Sequence, residues 1–144
     1  NDIYVNKKKV CGILTEAVTD FESGTVEAVV IGIGLNISTA SIDFPDELSL
    51  SAGSVNPVSV SRNVIVAKII NEVMAIYNDG DEKLLMEEYR QRCFLIGKEI
   101  TYYRNGISCV GKAVDINDQG NLIIEKDNGD MDILNSGEVT LSGS

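Results

Sequence analysis

The chain changes texture at Gly97, and that change limits its fold more than any other feature. Five short β-rich runs follow in under fifty residues: KEITYYR, ISCVGKAVDI, NLIIEK, MDIL and EVTLS. Their separators are Asn105-Gly106, Asn117-Asp118-Gln119-Gly120, Asp127-Asn128-Gly129-Asp130 and Asn135-Ser136-Gly137. Asn-Gly between two such runs is the strongest short hairpin signal, because both residues accept the positive φ that a tight turn demands. Short strands in such quick succession predict a small closed or partly closed β-barrel. The residues before Gly97 mix strand and helix patterns instead. The expectation is therefore an α+β chain with one domain over 1–96 and a β-barrel domain over 97–144.

Within the first part, Ile3 to Val5 and Val10 to Leu14 flank Asn6-Lys7-Lys8-Lys9 and read as a hairpin with a polar turn. The stretch TVEAVVIGIGLNI, Thr25 to Ile37, is β-branched and almost continuously apolar, which predicts a strand buried on both faces. Residues 38–61 form a long irregular connection with one turn near Pro45-Asp46-Glu47-Leu48. Ser59 or Ser61 can cap a helix running to about Asn78, with Val66, Ile69, Ile70, Val73, Ile76 and Tyr77 as a buried stripe. Asp81 can cap a second helix, with Leu84, Leu85 and Tyr89 inward and Arg90 and Arg92 near its C-terminal end.

Composition removes several functions. There is no histidine, so neither a Ser-His nor a Cys-His nucleophile can form, nor a His-based zinc site. Cys11, Cys93 and Cys109 are odd in number and widely spaced, which makes no disulfide framework and suits a reducing cytoplasm. The formal charge of −10 repels phosphate backbones and anionic membrane surfaces, so nucleic acid and membrane are not expected partners. Catalysis, if present, must run on lysine, carboxylates, amides and backbone groups.

Two features carry possible chemistry. GIGLN, Gly32 to Asn36, fails as a dinucleotide fingerprint because position 37 is Ile and no helix pattern follows. It leaves two glycines on one strand face, two residues apart, with Asn36 continuing that face. Such glycines serve close packing, or they let a flat ligand lie against the backbone; spacing alone favours packing. The lysine run likewise reads first as a solvated turn. Lys9, which leaves the turn for the strand leading to Gly12, is the candidate for a chemical role.

The order ND, IYVN, KVCGILTE, VVIGIGLNI and FPDEL resembles the catalytic domain of biotin protein ligases. GKAVDINDQGNLII followed by SGEVTLS looks like that family's SH3-like C-terminal barrel. The resemblance covers essentially the whole chain in the family's order.

The resemblance implies an ATP-dependent ligase that forms biotinyl-5′-AMP and then passes biotin to a lysine of a carboxylase's biotin carrier domain. It implies ATP, Mg²⁺ and biotin as reactants and cofactor. Lys9 matches the family's catalytic, biotin-contacting lysine, and Gly12, Gly32 and Gly34 match glycines of the biotin pocket. Asn1, Asn36, Gly137 and Glu138 match ATP-contacting positions, and Asp2 a residue that helps hold Mg²⁺. The family's glycine- and arginine-rich biotin/ATP loop lies upstream of the matched Asn-Asp pair. These residues are therefore expected to be the C-terminal part of a ligase, inactive or weakly active alone. Three alternatives stand beside this: a non-catalytic fragment that docks a carrier domain, a lipoate or octanoate ligase, and a repressor with an upstream DNA-binding domain. An exposed strand of the catalytic sheet would also permit a homodimer.

Overall fold

The computed structural model describes residues 1–20, 22–48, 50–135 and 139–141, and of Ser41 the backbone only. Contacts divide the chain into two units, Asn1–Asn71 and Glu72–Ser144. The whole is α+β, as expected.

The first unit holds an antiparallel sheet in the order β1 (Asp2–Val5), β2 (Lys8–Thr19), β3 (Val26–Leu35). Asn6 and Lys7, with φ of 51° and 65°, make the two-residue turn between β1 and β2. That mirror-image turn matches the right-handed twist of the strands it joins. At the far end of β2, Asp20 takes the N–H of Glu22 on its carboxylate at 2.7 Å and closes the loop into β3. This bond, with a further one from Ser23, holds the Asp20 carboxyl below the usual range. The connection 38–61 contains two single 3₁₀ turns, Ser41–Asp43 and Asp46–Leu48, where one was expected.

β3 corrects the expectation of burial on both faces. Every residue from Val26 to Gly34 is exposed and only Leu35 is half-buried. β3 is an edge strand of a three-stranded sheet, so its apolar run states a demand for cover that the sheet itself does not meet.

Helix α1 (Arg62–Asp79) crosses the division between the units, and α2 (Glu82–Arg92) belongs to the second. Ser61, rather than Ser59, starts α1: its hydroxyl accepts the N–H of Val64 at 3.4 Å, while Ser59 sits at φ 62° outside the helix. Asp81 caps α2 by accepting from Lys83 and Leu84 at 2.9 and 3.2 Å. The stripes are narrower than expected. On α1 only Ile65, Ile69 and Val73 are half-buried, and Val66, Ile70, Ile76 and Tyr77 are exposed. On α2, Leu85, Met86 and Arg90 turn inward, and Leu84 and Tyr89 face solvent. Apolar spacing marks a face able to be covered; the contacts made decide how wide the covered strip is.

In the second unit, β4 (Glu99–Arg104), β5 (Ile107–Ile116), β6 (Leu122–Glu125), β7 (Met131–Leu134) and β8 (Val139–Leu141) form one antiparallel sheet. Its order is β7-β6-β5-β4-β8. Asn105 and Gly106, at φ 51° and 78°, make the predicted turn and pair Arg104 with Ile107. Of the closed or partly closed barrel expected, the described residues form the five strands as one sheet that is not closed, with β7 and β8 at its two edges. It curls around a core of Ile100, Tyr102, Ala113 and Ile124, with Leu95, Leu122, Leu134, Val139 and Leu141 packed against it. Asp132, 5% exposed, is the buried polar member. It accepts from the Tyr102 hydroxyl at 3.1 Å and pairs with Arg104 and with Lys126 at 3.2 Å. A buried carboxylate is tolerated where its lone pairs are met in this way. Arg90 ties α2 to the sheet, donating from Nε to the carbonyl of Ile116 at 2.6 Å and pairing with Asp118.

Candidate functional site

The β1–β2 ladder is regular except at one point. Asp2 pairs with Gly12 and Ile3 with Cys11, but Tyr4 pairs with Lys9. Val10 therefore has no partner on β1 and forms a β-bulge. Its consequence is geometric. Residues 9 and 12 are three apart and would face opposite sides of a regular strand. One extra residue restores them to the same side. The ammonium of Lys9 thus lies 2.7 Å from the Asp2 carboxylate, on the face that carries Gly12. Cys11 points away, 3% exposed, and its thiol is pushed up by burial and by the nearby Asp2 carboxylate, with Lys9 opposing.

β2 and β3 then pair so that Gly12 lies opposite Gly34 and Leu14 opposite Gly32. Directly paired residues share a face. Three glycines and Leu14 consequently form one patch beside the Lys9–Asp2 pair. This patch floors an open depression of about 520 Å³ lined by Asn1, Asp2, Lys9, Gly12, Gly32 and Gly34, with Ile13, Leu14 and Ile33.

The protein's own packing does not require these glycines. None of the three has a positive φ. Among the described residues, a methyl at Gly34 would meet only the Gly12 carbonyl, at 3.8 Å, and one at Gly32 only Leu14, at 3.7 Å or more. At Gly12 it would lie 3.6 Å from Lys9 Cε and 3.7 Å from Asp2 Oδ1. All of these are ordinary contacts, so the missing side chains leave space above the floor, next to a cation. That fits a ligand with a flat uncharged body and an anionic end.

The predicted site residues therefore separate into three groups. Asn1, Asp2, Lys9, Gly12, Gly32 and Gly34 come together. Asn36 follows β3 and spends its backbone on the fold, donating N–H to the Val10 carbonyl at 2.8 Å and accepting from Val55 N–H at 2.9 Å; it is not part of the lining. Gly137 and Glu138 lie outside the described residues. Sequence reasoning missed Leu14, Ile13 and Ile33, although the alternation of GIL after Gly12 gave a signal for Leu14. Among the described residues no cluster of three or more acidic, cysteine or histidine side chains is placed to hold a metal.

Residues 95–142 match the family described as the biotin protein ligase C terminal domain. The bifunctional ligase/repressor BirA of Bacillus spizizenii is 36% identical over 138 residues, covering 90% of this chain and 41% of that one. Its counterpart from Bacillus subtilis is 34% identical over the same length. The chain thus spans about two fifths of the curated relatives it matches, 41% in each case. Among solved structures, the apo biotin protein ligase of Aquifex aeolicus superposes with a TM-score of 0.77 at 21% identity, over 99% of this chain and 63% of that one. The same ligase in complex with biotin and ATP gives 0.74 at 23% identity, over 100% of this chain and 60% of that one. Residues 95–142 thus match the biotin protein ligase C-terminal domain family, and the chain as a whole resembles the C-terminal part of a biotin protein ligase.

Proposed function

We propose that the depression beside Lys9 is the adenylate-forming site of an ATP-dependent biotin protein ligase. The reading rests on one observation: three glycines that neither backbone conformation nor packing among the described residues requires lie on one sheet face, against a lysine brought there by a bulge. In support, the Aquifex aeolicus ligase of the same fold has been seen with biotin and ATP bound. In this reading 1–96 belongs to the catalytic domain and 97–144 is the C-terminal domain.

The reaction has two steps. An oxygen of the biotin carboxylate attacks the α-phosphorus of ATP, an O–P bond forms, and the bond to pyrophosphate breaks. The amine of a carrier-domain lysine then attacks the acyl carbon of biotinyl-5′-AMP, AMP leaves, and the amine loses a proton. In the first step two anions must approach each other. The Lys9 ammonium supplies a fixed positive charge where negative charge accumulates on the phosphoryl oxygens, and such a charge is worth more in a closed pocket than in water. Asp2 holds that ammonium over the floor. Their pair is partly exposed, 45% and 31%, so it contributes at most about 1 kcal/mol to stability and serves mainly to orient. Asp2, with the nucleotide phosphates, would also hold Mg²⁺, which supplies further charge neutralisation. The glycine floor admits the fused rings of biotin, and Leu14, on the same face, provides an apolar wall.

The test is titration of biotinyl-5′-AMP and lipoyl-5′-AMP into the chain. Saturable binding of the biotinyl compound in preference to the lipoyl compound is the expected result. Equal binding of the two, or preference for the lipoyl compound, overturns the biotin reading.

A further inference from the structure

Lys9 is held from two sides. On one lies the bulged ladder to β1. On the other, the 51–53 segment of the long connection runs parallel to it, with Ala52 bridging Lys9. The Lys9 N–H donates to the Ser51 carbonyl at 2.8 Å, and the Gly53 N–H donates to the Lys9 carbonyl at 2.9 Å. These bonds take up both main-chain polar groups of the residue that precedes the bulge. They lie beside the bond from Asn36 N–H to the Val10 carbonyl, which holds the bulged residue itself.

The approach is close because position 53 has no side chain. A Cβ there would lie 2.8 Å from Lys8 Cβ and 3.2 Å from Lys8 Cδ. Contacts of that length to a Cβ are not relieved by a rotamer change, so the backbone must move. Gly53 is outside the left-handed region, so alanine would fit its backbone conformation and the obstacle is crowding alone.

We infer that Gly53 is a positioning residue: its missing side chain lets residues 51–53 clamp the Lys9 backbone, which keeps the Val10 bulge and holds the Lys9 ammonium on the glycine face. Gly53 acts through Lys9 and touches no reacting atom. The consequence for ligand rests on the adenylate reading above; the consequence for where the amine sits does not.

The experiment is a rescue series in the 144-residue chain: Gly53→Ala, Lys8→Gly, Lys8→Gly with Gly53→Ala, and Lys8→Ala with Gly53→Ala. A water-soluble carbodiimide joins an amine to a carboxylate only when they touch, so mass spectrometry of the Asp2–Lys9 link reports the position of the amine without any ligand. Biotinyl-5′-AMP affinity is measured in parallel. Gly53→Ala is expected to lower both the cross-link yield and the affinity by about tenfold or more, the scale of a displacement near 1 Å. Lys8→Gly with Gly53→Ala should recover both, because it removes the obstructing atom. Lys8→Ala with Gly53→Ala should not, because Lys8 Cβ remains. A normal cross-link in Gly53→Ala, or no recovery in the glycine double variant, overturns the inference. A cross-link that falls and recovers in a chain that never binds biotinyl-5′-AMP upholds the clamp and contradicts the adenylate reading.

Discussion

Gly12 and Gly34 face each other across the β2–β3 ladder, and among the described residues nothing fills the space that their missing side chains leave. Beside that space Lys9 and Asp2 touch at 2.7 Å. An apolar floor next to a fixed cation gives the strand glycines a purpose that spacing alone does not.

Lys9→Ala should slow adenylate formation by about 10²-fold or more, the loss expected when one preorganised donor to a developing anion is removed. Biotin-dependent exchange of pyrophosphate into ATP measures it, in any form of the protein that supports the exchange. Lys9→Arg should recover little, since a planar guanidinium spreads the charge that a compact ammonium concentrates at one point. An exchange rate near that of the parent in Lys9→Ala would remove the residue from the mechanism.

Arg90→Lys should destabilise the second unit by about 1–2 kcal/mol, read as a lower urea midpoint. The fork of Arg90 serves the Ile116 carbonyl and the Asp118 carboxylate together, and a lysine cannot reach both. An unchanged midpoint would mean that this tie between α2 and the sheet carries no weight.

Tyr102 predicts an alkaline limit to stability. Burial, first, and the neighbouring Cys109 hold its phenol above the usual value, against the opposing pull of Arg104. The folded protein thus keeps this proton after the unfolded chain has begun to lose it, so stability falls with rising pH. The contribution is fully present below about pH 10, the ordinary tyrosine value, and is lost as pH climbs through the raised one. Tyr102→Phe should be less stable at neutral pH by about 1–3 kcal/mol, having lost the bond to buried Asp132. It should also show a shallower decline above pH 10. Denaturant midpoints from pH 8 to 11 test both, and parallel slopes for the two proteins would contradict the assignment.

Much of this was legible in the residues. Asn105-Gly106 and the turn after Asn6 announce their hairpins through residues that accept positive φ, and Asp81 announces its helix through a free carboxylate before an amphipathic run. The facing of Gly32 and Gly34 follows from strand periodicity. The bulge at Val10 does not: nothing in KKKVCG distinguishes it, because a bulge is set by how two strands and a distant loop share hydrogen bonds. The clamp by Gly53 is hidden for the same reason, since its demand comes from Lys8, far away in the chain. β3 and the outer residues of α1 show the opposite failure. Their apolar patterns are plain, but a pattern states that a surface needs cover without saying which atoms provide it.

The most direct measurement is calorimetric titration of biotinyl-5′-AMP into Gly34→Val. A valine at this position suits a strand, and among the described residues its Cβ meets only the Gly12 carbonyl, at 3.8 Å, so the fold should persist with an unchanged circular dichroism spectrum. The account predicts that binding falls by at least about tenfold, because the isopropyl group fills the floor where the fused rings would lie. Binding equal to that of the parent chain would contradict it.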